Sequence, residues 1–226
     1  MSLRTTPSRR SASAAVWTPF LLLCLIAVAA VIRRVVVLTL PPPTDPTGLD
    51  SIFAARKALT LAHILPALVL VVLLPLWFSQ RMRARPWIHH KITLVLFALG
   101  LVVGITAIPM SFHPVGGFTE TSAVLFFDAL FLFSLACAWM AFRRHDIPRH
   151  RVWMMRAIAV LLGIATTRPV MGVFFATRSL TGLSFHQFFG IAFWIGFTIT
   201  FLAGEAYLRT HPDPEAGLPL QALYRA

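Results

Sequence analysis

The residues in this chain that could do chemistry are its histidines, and they fall in levels. His89, His90 and His150 open two apolar runs at one surface. His113 and His186 lie near the opposite surface, with His63 about five residues deeper. An imidazole presents a lone pair to iron, and a helical bundle with imidazoles near both surfaces has the donors for two b-type haems. Each would lie between facing helices with arginines near its propionates, and electrons would then cross the membrane. His63, His89, His150 and His186 are the candidate haem ligands, haem b is the cofactor they suggest, and no metal other than haem iron is indicated. A plainer reading stands beside this one. His89, His90 and His150 sit close enough to the headgroups to act as interfacial anchors, and His63 could simply bond to a neighbouring helix. The unequal depths of His63 and His186 count against them as a coaxial pair.

Ionisable residues inside apolar runs form the second group. A charge in hydrocarbon costs several kcal/mol, so each needs a partner or a cavity. Asp128 lies about two turns into its run and is expected to pair with Arg168, Arg33 or Arg34, or else to serve a proton path. Glu205 is expected to pair with arginines at the cytoplasmic surface. At about 3.6 residues per turn, His63 and Arg81 lie five turns apart on one stripe, with Arg56 within it, and His150 and Arg168 share a second stripe. Such stripes most simply face a bundle interior.

The elements that must carry these residues are membrane helices. Of the 226 residues 58% are hydrophobic and 12% charged, more apolar surface than one soluble core of this size can hide. Long apolar runs predict an all-α, polytopic transmembrane bundle of about six helices. They are placed at about 16–40, 52–78, 91–110, 121–142, 151–177 and 184–208, in a single bundle domain spanning 16–208. Residues 1–15 and 209–226 read as cytoplasmic tails. Arg33-Arg34 interrupts the first run and Pro41-Pro42-Pro43 stops it. Gly100 and Gly104 form a GxxxG spacing that suits close helix packing.

Orientation follows from the basic residues. They crowd the N-terminal tail, the loops 79–91 and 143–151 and the C-terminal tail, whereas loop 111–120 has none. This predicts both termini in the cytoplasm and a place in a bacterial cytoplasmic (inner) membrane. Arg33, Arg34, Arg56, Lys57, Arg168 and Arg178 break the rule, which marks them as candidates for paired or functional charges. The net charge of +12 fits anionic lipids at the cytoplasmic loops. No basic stripe is interleaved with stacking aromatics, which argues against nucleic acid. Cys24 and Cys137 sit in apolar runs and offer neither a disulfide framework nor a metal spacing. No nucleophile–base pair, phosphate loop or HExxH is present, so no catalytic residue is assigned.

One stretch carries a resemblance. His150-Arg-Val-Trp153-Met154-Met-Arg156, continuing to Thr167-Arg168-Pro169, resembles the signature of a family of bacterial membrane proteins called domain of unknown function 2306. His63 followed by Pro75, Phe78 and Arg81 looks like the first half of that pattern, His89 fits its next histidine, and Glu205 fits its end. The family usually follows that histidine with an arginine and a Gly-Arg pair, whereas His90-Lys91-Ile92-Thr93 stands here. The resemblance covers roughly 52–209 and implies a fold and a membrane location without a reaction. It adds Arg81, Trp153, Arg156, Arg168 and Glu205 to Asp128 as functional candidates. Three readings remain open. They are a b-type haem electron-transfer protein, a non-catalytic assembly or lipid-interacting protein, and a small proton-coupled transporter.

Overall fold

The computed structural model describes residues 9–40 and 49–211, and the proline stop at 41–43, most of the predicted N-terminal tail and the C-terminal tail beyond 211 lie outside them. The described elements are α1 (Arg9–Thr39), α2 (Leu49–Ala54), α3 (Lys57–Phe78), α4 (Gln80–Arg83), α5 (Pro86–Ser111), α6 (Gly117–Arg143), α7 (Ile147–Ala176), α8 (Arg178–Thr181) and α9 (Phe185–Thr210). Among the described residues there is no strand. Helices α1, α3, α5, α6, α7 and α9 are each long and apolar enough to cross a membrane. Even the shortest, the 22 residues of α3, extends about 33 Å, against a hydrocarbon core of about 30 Å.

Contacts along the bundle show the helices alternating in direction. Trp17 at the start of α1 meets Phe78 at the end of α3, and Trp77 of α3 meets His89 at the start of α5. Phe97 of α5 meets Trp139 of α6, and Phe174 late in α7 stacks on Phe188 early in α9. One end of the bundle therefore carries the connections 79–85 and 144–146 with their arginines, and is called the basic end below. Helix α7 packs on α1, α6 and α9, while α3 joins α1 to α5 and α5 joins α6. Met154, Ala157, Ile158, Val160 and Leu162 put α7 at the centre of the core.

Lipid-embedded helices gain little from hiding apolar surface against one another, so close backbone approach decides where they pack. Gly100 faces Phe131 and Leu135 of α6, and Gly104 faces Leu132, which makes the GxxxG stripe the α5–α6 seam. The tightest seam joins α7 to α9. There a methyl on Gly196 would fall 2.6–2.8 Å from Thr167, two of the three atoms being backbone, and one on Gly163 would meet Phe197.

Chain breaks explain where the elements depart from the apolar runs. The second run splits at Ala55-Arg56, and Thr60 Oγ1 bridges the split by donating to Phe53 O. Helix α5 starts at Pro86, where the fixed φ of proline suits a first turn. Its histidines consequently lie inside the helix. The α6–α7 turn is tight because His145 takes φ 57° and Asp146 N reaches back to Ala141 O, a left-handed helix stop that histidine tolerates better than most residues. Asp146 then caps α7 by accepting from Arg149 N at 3.1 Å. The His63–Arg81 stripe is overturned. Ser79 is extended at φ −63°, ψ 130°, which ends α3, and Arg81 sits exposed on the separate α4.

Replacing Gly196 with Val should push α9 off the Thr167 backbone and cost about 1–3 kcal/mol, read as a lower thermal midpoint in detergent. Gly172→Ala, where nothing lies within 4 Å, should leave that midpoint unchanged.

Candidate functional site

Four helices bring the basic-end imidazoles together. A cavity of about 250 Å³ is lined by Trp77 from α3, His89, His90 and Thr93 from α5, Phe142 from α6 and His150 from α7, with Arg83 and Arg151 at its edge. Its geometry is fixed from below. Trp77, 2% exposed, donates from Nε1 to Thr93 Oγ1 at 3.0 Å, and Thr93 donates to His89 O at 2.8 Å. The indole held in this way stacks on the His89 ring at 5.6 Å and meets His150 edge-on at 6.2 Å. Phe142 stacks on His90 at 5.1 Å and also packs on His150. His150 is 3% exposed, and its Nδ1 lies 3.1 Å from Ala138 O. A carbonyl only accepts, so Nδ1 carries the proton. Nε2 is left buried and without a hydrogen-bond partner. Among the described residues no carboxylate lines the cavity.

The other motif residues of α7 serve the seam with α9. Arg156 Nε lies 2.6 Å from Glu205 Oε1 and Nη2 lies 3.2 Å from Oε2, a two-pronged ion pair. Its guanidinium also covers the Trp153 ring at 4.5 Å, and Trp153 packs edge-on against Phe133 of α6.

At the opposite end the candidates are dispersed. His63 Nδ1 lies 3.1 Å from Val103 O and 3.0 Å from Thr106 Oγ1 on α5, while exposed His186 reaches Val115 O at 2.6 Å. His113 folds back on Pro109 O. Glu120, which the motif reading missed, accepts from Val115 N and Gly116 N at 2.6 and 2.7 Å and closes the α5–α6 turn. Asp128 does not pair with an arginine. Its Oδ1 faces Gly104 across the α5–α6 seam, and among the described residues it has no ion-pair partner. Arg33 and Arg34 instead share Asp50 on α2, at 3.2 and 2.5 Å. Burial acts to raise the Asp50 carboxyl, but hydrogen bonds from Arg33 and Arg34 and the charge of both outweigh it and hold it below its ordinary value.

The residues do not fit a haem between two histidines in this arrangement. His63 and His186 bond to separate carbonyls, on α5 and on the turn beyond it. At the basic end the cavity of about 250 Å³ is smaller than the ~300–1,000 Å³ of sites for drug-sized molecules, and a porphyrin is larger than most drugs. Among the described residues no group of three or more His, Cys, Asp or Glu side chains is placed to hold a metal ion.

Residues 60–208 match the family of predicted membrane proteins DUF2306. The chain belongs to that family. The DUF2306 match takes in the basic-end cavity, His63, Asp128, Arg168 and the Arg156–Glu205 pair, whereas Arg33, Arg34 and Asp50 precede it. No curated protein and no solved structure matches the chain. Trp77, Thr93 and Phe142 escaped the sequence reading of this DUF2306 protein because each looks like an ordinary apolar or small residue of a membrane helix. The only available signal was Thr93 one turn after His89.

Two outcomes follow. Glu205→Gln and Arg156→Gln should each lower the detergent midpoint, and the double variant should cost less than their sum by about 1–3 kcal/mol, measured as a double-mutant cycle. The Asp50 carboxyl is depressed in the folded protein, so its contribution is full above the ordinary value of 3.8 and is lost as pH falls through the lower folded value. An Asp50→Asn variant should lack that acid limb in a midpoint-against-pH series.

Proposed function

We propose that this protein binds the anionic head of a membrane amphiphile in the basic-end cavity, as a lipid-interacting membrane protein without chemistry of its own. The observation that carries the reading is the composition of the cavity. Three imidazoles and two guanidiniums line it beside two aromatic rings, and no carboxylate is among its described lining residues. Such a lining repels cations and favours anions. Trp77 and Phe142 offer an apolar wall to the part of the ligand nearest the acyl boundary. His150 Nε2 is an unmet polar atom in a dry place, which costs about 1–3 kcal/mol until something bonds to it. With Nδ1 already a donor, Nε2 meets an anion only by taking a second proton, so binding draws a proton in with the anion.

The same reading places the basic end in the cytoplasm, with both termini on that side, in the inner membrane of a bacterium. Support comes from the arginines of connections 79–85 and 144–146. Anionic lipid is then concentrated at the leaflet where the cavity lies. A haem reading gains His150 as one suitable ligand but no second imidazole across a gap of the right size, and a transporter reading gains only the unpaired Asp128. A reduced-minus-oxidised spectrum with haem bands that His150→Ala removes would displace the lipid reading.

Delipidated protein in neutral detergent should gain thermal stability from phosphatidylglycerol over phosphatidylcholine, and more at lower pH. His150→Gln should reduce the gain and flatten its pH dependence. Equal midpoints in the two lipids would refute the proposal. Separately, an impermeant maleimide applied to intact cells should label Phe112→Cys and spare His145→Cys, with the native cysteines replaced by serine.

A further inference from the structure

We infer that the end of the bundle opposite the histidine cavity holds a second site, for a phosphate-type oxyanion, formed by Arg168 of α7 with Arg34 and Arg33 of α1. This goes beyond the lipid-binding cavity and rests on other residues.

Charge around these residues is unequal. Asp50 is the one described carboxylate against these guanidiniums, and both of its oxygens are taken, Oδ1 by Arg34 and Oδ2 by Arg33. Glu120 and Asp128 are not available. Glu120 is turned onto the backbone of the α5–α6 turn, and Asp128 faces α5. Among the described residues Arg168 consequently has no acid of its own. Its Nε is buried and has no hydrogen-bond partner, and the charges that act on it are the like charges of Arg34 and Arg33.

An arrangement of this kind is costly by itself. A guanidinium with a buried nitrogen cannot shed its proton, so it cannot escape the cost by neutralising, as a lysine can. Removing a donor from water without an acceptor costs about 1–3 kcal/mol. Two neighbouring cations add repulsion in a medium of low dielectric. An oxyanion placed among the three would supply acceptors to Arg168 and offset the excess charge of the cluster. Tetrahedral oxyanions such as phosphate suit guanidinium forks from two directions, and Arg presents its donors in a fixed plane.

The cluster is also held in place before anything binds. The Arg34 guanidinium lies over the Phe53 ring at 4.2 Å while it bonds Asp50, and α1 packs directly on α7. Helix α2 is thereby tied to Arg34, and the charges of Arg34 and Arg33 reach Arg168 across the α1–α7 packing. The oxyanion could arrive as free phosphate or as the head of a lipid in that leaflet, since the donors cannot tell them apart.

The test uses the full chain in neutral detergent. One arm adds inorganic phosphate against chloride at matched ionic strength. The other adds phosphatidic acid against phosphatidylcholine in mixed micelles. At ligand about 100-fold above its dissociation constant the thermal midpoint should rise by about 5–10 °C. A rise in the phosphate arm assigns a soluble anion, and a rise in the lipid arm alone assigns a headgroup. Arg168→Gln should abolish the rise, and Arg168→Lys, which keeps the charge but loses the fork, should retain at most part of it. His150→Gln should keep the whole rise, which separates this site from the basic-end cavity. Flat midpoints in both arms, or a rise that survives Arg168→Gln while that variant stays folded, would overturn the inference.

Discussion

The fold is governed by the cost of a charge that finds no partner in lipid. Hydrocarbon gives no water to a guanidinium or a carboxylate, so a charge inside a span is costly unless another side chain meets it or it is carried to a surface. Among the described residues Asp128 and Arg168 are left without an ion-pair partner. Arg156 and Glu205 meet each other with two bonds across the α7–α9 seam, which makes that seam specific as well as close. Arg33 and Arg34 are met by Asp50, and the need to bring Asp50 back over the end of α1 gives α2 its place. With those demands satisfied, glycine-based contacts suffice to set the remaining seams, because apolar burial alone gives two membrane helices little preference for one another.

Much of this was legible in the residues. Six spans follow from apolar length alone, and lipid makes length nearly sufficient because a helix satisfies its backbone groups within one segment. The membership of His150, Trp153 and Arg156 in one motif was legible too, but their division of labour was not. His150 turns to the cavity while Arg156 turns to α9, and helical spacing gives such directions only when the neighbouring helices are known. His63 and Arg81 do not share a stripe, for a local reason. Ser79 takes an extended conformation, so five uninterrupted turns never form. Periodicity assumes a continuous helix, and a single residue is enough to end one. Asp128 failed differently. Its depth matched the arginines, but it projects toward α5 and not toward α7.

Helix α7 explains why polar residues at the two ends belong to one protein architecture. His150 and Arg168 lie five turns apart on it, about 27 Å along the axis, which nearly spans the hydrocarbon core. Both keep a buried nitrogen without a hydrogen-bond partner. A helix at the centre of a bundle is the worst place to leave a polar atom unmet, since water is excluded there from every side. An apolar side chain at either position would carry no such unmet atom. The expense of keeping polar side chains at both ends of the most buried helix is therefore accounted for when something outside the chain completes each of them. The two ends differ in what they would accept. The basic end offers imidazoles that gain or lose a proton and an aromatic wall, which suits an amphiphile whose binding follows pH. The opposite end offers permanent charge, which suits an oxyanion held regardless of pH.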